Sequence, residues 1–212
     1  MLETRVAGNQ VLGCNETAIA LLGLGMPGSA ARIERNTVQS MGGGIATSLD
    51  GLWMGDNKLD ASGAAAGANG IELRAGLDKG GTGQCQILAN QIRGYAGAGI
   101  ALRAPVDALV VKLNIVEACG NGIVMTDDAQ ADAAAIENNQ LRDIGPAGEE
   151  GAKEPVLGIA LSRVQGATVG GNVLRRVGAA VREAPLRAGG AALTTLRLRV
   201  TGNEIVELAH GA

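Results

Sequence analysis

The feature that most constrains this chain is one pattern, apolar-x-x-Asn-x-apolar, met eight times along its 212 residues. The occurrences are Val6/Asn9/Val11, Ile33/Asn36/Val38, Met54/Asn57/Leu59, Ile87/Asn90/Ile92, Val111/Asn114/Val116, Ile136/Asn139/Leu141, Val169/Asn172/Leu174 and Val200/Asn203/Ile205. The spacing of successive asparagines runs from 21 residues (Asn36 to Asn57) to 33 (Asn57 to Asn90). Units of this size stack on one another, because a single unit has too little surface to bury its own apolar face.

A second element follows the asparagine in the first seven units: Ile19-Ala20-Leu21, Ile45-Ala46-Thr47, Ile71-Glu72-Leu73, Ile100-Ala101-Leu102, Ile123-Val124-Met125, Ile159-Ala160-Leu161 and Val181-Arg182-Glu183. Five of these follow a glycine directly. Apolar residues two apart mark a strand with one buried face. Each unit therefore holds a strand before the asparagine, a strand after it and a third at the Gly-Ile-x-Leu element. The chain reads as an all-β, right-handed, single-stranded parallel β-helix of about eight coils with three short strands per coil. It forms one domain over 1–212. Composition agrees: 34 glycines, no Phe, one Trp and one Tyr suit a narrow interior of Val, Ile, Leu and Ala, and 46% hydrophobic content is ample for a core.

The asparagine has a physical role in that fold. The chain bends sharply between the first two strands, and a left-handed backbone conformation is expected at the Asn, which tolerates it better than most residues. Stacked at about 4.8 Å, the amides of Asn9, Asn36, Asn57, Asn90, Asn114, Asn139, Asn172 and Asn203 can donate to and accept from one another. A leucine-rich repeat also carries apolar-x-x-Asn-x-apolar, but it wants leucine five residues earlier, a position held by Leu in only three of the eight units: Leu52, Leu109 and Leu198. A left-handed β-helix needs a strict six-residue period, which this chain lacks.

The same register places a mostly apolar column five residues after each asparagine: Cys14, Met41, Ser62, Tyr95, Cys119, Ile144, Val177 and Leu208. Tyr95 is expected in the core. Cys14 and Cys119 stand four coils apart, roughly 19 Å, too far for a disulfide, and the third cysteine, Cys85, leaves the count odd.

Chemistry on such a scaffold needs groups from adjacent coils on one face. The outward residues of the third strand are Ala20, Ala46, Glu72, Ala101, Val124, Ala160 and Arg182, mostly inert. Just beyond them, Arg74 and Arg103 lie on neighbouring coils with Thr126 and Asp127 further along, a stripe able to grip an anionic sugar such as a uronate. The same stripe also reads as a solvated border between sheet and loop. Asp127-Asp128 offers two carboxylates after a strand, as a metal or acid/base site wants, although turns use Asp for their own backbone. Trp53 precedes inward Met54, so it is expected to point outward and is the better of the two rings for stacking on a sugar. Glu149, Glu150 and Glu154 share one inserted loop and read as a solvated charge run. The only histidine, His210, is near the C-terminus, so no histidine-based catalytic or metal site can be assembled. No metal site and no cofactor is implied.

A net charge of −3, spread along the chain, disfavours nucleic acid and anionic membranes as partners. No apolar run is long enough to span a bilayer, and no secretion signal is visible, so a soluble segment is expected with its compartment open. Strand residues begin near Thr4 and no capping helix is evident at either end. Open coil ends template association, so the chain is expected to be a segment of a longer protein or to be covered by a second copy or an adjoining domain.

The asparagine column and the Gly-Ile-x-Leu strands make the chain resemble the right-handed parallel β-helix repeat proteins of the pectin lyase-like superfamily. That resemblance implies carbohydrate contact or a rigid stalk, since the superfamily spans pectate lyases, polygalacturonases, epimerases, tailspikes and adhesins. Of the polygalacturonase motifs only Asp127-Asp128 is matched; a pectate-lyase calcium cluster and an epimerase Asp-Pro-His are not seen. The Gly/Ala-rich coils are also similar to β-helix domains of phage-tail-like injection machines. The expected function is a non-catalytic scaffold or binding segment of a larger bacterial or phage-like surface or injection assembly, with polysaccharide as the candidate contact. The alternative is a polysaccharide lyase or glycoside hydrolase.

Overall fold

The computed structural model describes residues 3–23, 30–48, 51–61, 63, 65–75, 82–126, 128–145, 156–177, 179–183 and 197–206. Its strands pass in rotation through three parallel sheets. The first stacks Glu3–Ala7, Ala30–Glu34, Leu52–Gly55, Thr82–Leu88, Val106–Lys112, Ala131–Glu137, Val164–Gly170 and Arg197–Thr201. The second stacks Gln10–Cys14, Thr37–Ser40, Lys58–Ala61, Gln91–Arg93, Ile115–Glu117, Gln140–Ile144, Val173–Val177 and Glu204–Val206. The third stacks Ile19–Leu21, Ile45–Thr47, Ile71–Leu73, Ala98–Leu102, Asn121–Met125, Leu157–Leu161 and Ala179–Glu183. One strand of each sheet makes a coil; the eighth coil contributes to the first two sheets among the described residues. This is a parallel β-helix, and no helix occurs among the described residues.

Like residues stack on like. Ile33 pairs with Val6 on one side and Met54 on the other; Ile92 pairs with Leu59 and Val116; Ile100 pairs with Ile71 and Ile123. These inward columns form one continuous core along the stack. Burying each such side chain is worth about 1.5–3 kcal/mol, which is why small and branched residues fill it layer upon layer.

The asparagine column is complete from Asn9 to Asn203. Each of the first seven donates twice to the Oδ1 of its counterpart in the next coil: Asn90 gives its backbone N–H at 3.0 Å and its Nδ2 at 2.9 Å to Asn114 Oδ1, and Asn114 treats Asn139 the same way. The second Nδ2 hydrogen serves a carbonyl of the coil before, as Asn114 does with Ile87 at 2.9 Å. The backbone carbonyl of Asn90 accepts from Ile115 N–H at 2.8 Å. Every polar atom of an interior rung thus has a partner, which is what permits asparagine at 0% exposure.

The bend itself is not made by the asparagine. The left-handed conformation belongs to the residue just before it: Gly8, Arg35, Asp56, Ala89, Leu113, Asn138, Gly171 and Gly202, with φ between 50° and 70°. This corrects the expectation that the Asn would bear the positive φ. Its N–H and side chain must both face the next rung, and the preceding residue therefore absorbs the turn. Leu113 does so with its side chain 61% exposed.

The second corner is less regular. Gly13, Gly94, Ala118, Asp143 and Arg176 take a positive φ there, four residues after their asparagines. The second coil lacks that residue, so the register shifts and Ser40, not Met41, pairs with Cys14. Ser40 is buried and Met41 is exposed, which removes Met41 from the inward column. Tyr95 is fully buried as expected, and its hydroxyl lies 3.4 Å from Ser40 Oγ, two coils away. Ser62 and Leu208, expected on this column, lie outside the described residues.

The glycines before the third strand have a steric cause. A Cβ at Gly99 would overlap Val116, and one at Gly122 would overlap Leu141, because the third sheet runs close against side chains of the second.

Candidate functional site

The outer edge of the third sheet brings together two of the expected residues. Arg103 N–H donates to Leu73 O and Arg74 N–H to Thr47 O, each at 2.8 Å, so the two arginines occupy the same position of adjacent coils. Between them stands Glu72, the outward residue of the third coil. Arg74 Nη2 meets Glu72 Oε2 at 2.8 Å, and Arg103 Nε meets Oε1 at 3.0 Å. Each carboxylate oxygen therefore holds one guanidinium. Glu72 is paired in register with Ala46 and Ala101, both nearly inaccessible. Glu72, Arg74 and Arg103 thus form a three-residue ion cluster of net charge +1 beside buried Ala46 and Ala101. Glu72 as organiser was missed, although its place two residues before Arg74, and beside Arg103 one coil on, is readable from the repeat.

Thr126 continues the stripe, with its N–H on Leu102 O at 2.9 Å. Its hydroxyl donates to that same carbonyl at 3.3 Å, and its own carbonyl accepts from Ala129 N–H at 3.0 Å, closing a turn. Asp128 sits exposed in that turn. Asp127 lies outside the described residues, as do Glu149, Glu150, Glu154 and His210.

Trp53 is on a different sheet from the arginines. It points outward on the first sheet, half-buried, and its ring lies over Gly55, where any Cβ would collide with it. The guanidinium of Arg32, its register neighbour, is 5.7 Å from the ring centroid, within reach of a cation–π contact. The ring is therefore already covered on part of its face by the chain itself.

Several other outward charges also form pairs. Glu34 accepts from Arg5 through both Nε, at 2.7 Å, and Nη2, and from Arg35 at 3.2 Å. The hydrogen bond from Arg5 lowers the Glu34 pKa, with its charge and that of Arg35 assisting and partial desolvation opposing. Asp143 and Arg176 make a two-point pair, Nη2 to Oδ2 at 2.8 Å and Nε to Oδ1. That hydrogen bonding lowers the Asp143 pKa. Lys112 meets Glu137 at 2.8 Å, and Arg32 meets Glu3 at 3.5 Å.

Two further asparagines act at the third strand and were not anticipated. Asn69 Oδ1 accepts from Ala98 N–H, and Asn121 Oδ1 from Leu157 N–H, both at 2.8 Å. They lack the flanking apolar pattern, so no repeat search finds them.

The cysteines are all free thiols. Burial drives the Cys85 thiol far above its ordinary range and Cys119 up to about 11; neither is a thiolate at neutral pH, so neither is a nucleophile. Burial likewise pushes the Tyr95 hydroxyl to about 12. Among the described residues no three of His, Cys, Asp and Glu converge as a metal-binding group, and no helix is long and apolar enough to cross a membrane. No protein-family model, no curated protein and no solved structure matches the chain.

Proposed function

We propose that this β-helix is a non-catalytic, rigid scaffold or binding segment of a larger bacterial or phage-like surface or injection assembly, of the pectin lyase-like type in its architecture. The observation that carries the reading is where its outward charges are spent. Arg5–Glu34, Arg32–Glu3, Arg103–Glu72, Lys112–Glu137 and Arg176–Asp143 each join one coil to the next. Ion pairs at a protein surface contribute little to folding. Placed between coils, they oppose sliding of one turn over another, and with the asparagine column they favour a stiff rod.

Polysaccharide is the candidate contact, with Trp53 and the Arg74/Arg103 pair as the groups that would meet it. Glycoside hydrolysis by two carboxylates needs them about 5–9.5 Å apart. Among the described residues of the third-sheet stripe, the carboxylate of Glu72 is engaged by both arginines, which favours binding over turnover.

The deciding experiment is a glycan-array screen followed by product analysis on every hit. Binding of an acidic polysaccharide without chain shortening, lost in an Arg74→Ala/Arg103→Ala double variant, is the expected result. Release of oligosaccharides or unsaturated products would overturn the scaffold reading in favour of a lyase or hydrolase.

A further inference from the structure

The second sheet treats its outward charges differently from the other two. One column of its outer face runs Gln39, Asp60, Arg93, Glu117, Arg142 and Arg175 from the second coil to the seventh, each in register with the next. Asp60, Arg93, Glu117 and Arg142 thus alternate in sign at the coil spacing of about 4.8 Å. Glu72 and Arg103 clasp each other across the same interval on the third sheet. These four do not: among the described residues none of them makes a side-chain hydrogen bond or ion pair, and Arg142 Nε has no acceptor. Arg142 acts on Asp143 through its charge, while both oxygens of Asp143 are held by Arg176.

An alternating row of four is complementary to itself. Turned end over end about an axis lying along the strands, it meets its own image with every sign opposed. A two-fold axis between the fourth and fifth coils sets Asp60 against the partner's Arg142 and Arg93 against the partner's Glu117, each contact made twice. The flanking columns accept the same operation without opposing like charges. Gln39 meets the partner's Arg175, and one column over, Lys58 meets the partner's Gln140 and Ile115 meets the partner's Gln91. At the adjoining corner Leu113, left 61% exposed, comes to the partner's Ala89. Other arrangements fail. Sliding by one coil either way opposes Arg93 to its own copy or Glu117 to its own copy, and an axis along the stack opposes every residue to itself; like charges set face to face are destabilising.

We propose that a second copy of this chain docks on the second sheet, face to face and antiparallel along the stack, as an isologous dimer about that axis. Aligned sheets pack about 10 Å apart, within the combined reach of an arginine and a carboxylate. The strip is narrow beside the roughly 800 Å² per partner of a standard interface, so the dimer is weak and its charge contacts are screened by salt. Trp53 and the Arg74/Arg103 pair stand on the other two sheets and stay open, so this inference goes beyond the scaffold reading without depending on it.

Charge reversal tests it. Glu117→Arg sets a cation against the partner's Arg93 at two places, and Arg93→Glu opposes two carboxylates there. Arg93 is exposed and Glu117 half-buried, and circular dichroism with the thermal midpoint reports whether each variant keeps the fold. By sedimentation at low salt from micromolar to millimolar concentration, the parent should pass from monomer to dimer and stop at two copies. Salt at about 1 M, where screening sets in within about 3 Å, should return it to monomer. Either single variant alone should stay monomeric, and an equimolar mixture of the two should form mixed dimers. The double variant Arg93→Glu/Glu117→Arg, in which the signs are again opposed, should dimerise like the parent. A parent that stays monomeric throughout overturns the proposal. So does dimerisation that survives a single reversal, or that is not recovered in the mixture and the double variant. Product release from a polysaccharide would defeat the scaffold reading alone and leave these mass measurements unaffected.

Discussion

The first and second corners of each coil solve the same turning problem in different ways. At the first corner, all eight coils place a left-handed residue directly before a hydrogen-bonded asparagine. At the second, coils one, four, five, six and seven use a left-handed residue, the second and third coils omit it with a slip of register, and no column of side-chain hydrogen bonds runs from turn to turn among the described residues. Insertions follow the difference. The spacing between asparagines varies, yet nothing is ever inserted between the asparagine and the strands flanking it. A corner whose buried amide must meet the rungs above and below cannot shift by one residue; a corner closed only by backbone can.

The strongest way to break this contrast is Asn114→Ala. It leaves the Asn90 N–H and Nδ2 without their acceptor at a site of 0% exposure, and should cost roughly 3 kcal/mol, since each buried donor left unsatisfied costs about 1–3 kcal/mol. The denaturation midpoint checks it, and a loss below that of Asp143→Ala at the second corner would refute the contrast. Leu113→Gly probes the same corner with the opposite sign. Glycine removes the steric penalty of a left-handed leucine, about 1–2 kcal/mol, against its own entropic cost, so a net gain of up to about 1 kcal/mol is expected in the same unfolding measurement.

A smaller effect comes from acid. Glu34 and Asp143 have folded-state pKa values below their unfolded ones, held there chiefly by hydrogen bonds from Arg5 and Arg176. Their contribution is therefore present above the ordinary carboxylate range, near about pH 4, and is lost as the pH falls through the lower folded-state values. For the solvent-screened Asp143–Arg176 pair it amounts to less than about 1 kcal/mol, and Arg176→Gln should flatten the acid limb of a plot of stability against pH. Smallest of all, a few glycines added within the turn at 65–68 should lower stability by no more than about 0.6 kcal/mol, the order of loop-closure entropy.

The column of asparagines was legible because one side chain must meet its own kind every coil, and that requirement writes itself into composition at a recurring place. The residue that bears the bend was not legible. Arg35, Asp56, Ala89, Leu113 and Asn138 have little chemistry in common; neighbouring rungs impose their backbone conformation, so no shared residue type betrays it. Ser40 displaced Met41 for a similar reason, since the presence or absence of one extra turn residue decides which of the two reaches inward. At the third-sheet edge, the adjacency of Arg74 and Arg103 could be read from the repeat. The closure of Glu72 onto both depends on how long side chains fold across a sheet, which spacing alone does not encode.

Tyr95 has a consequence for how the molecule opens. In a solenoid, stability is ordinarily a sum over adjacent turns, and any turn can fray independently of those beyond its neighbour. The phenol of the fourth coil, however, lies against the third at Gly70 and ends beside Ser40 and Gly44 of the second. Three turns are thereby fastened by one ring, and they should exchange their amide hydrogens as a single cooperative block, later than the turns that follow, where that column is filled by the shorter Cys119, Ile144 and Val177.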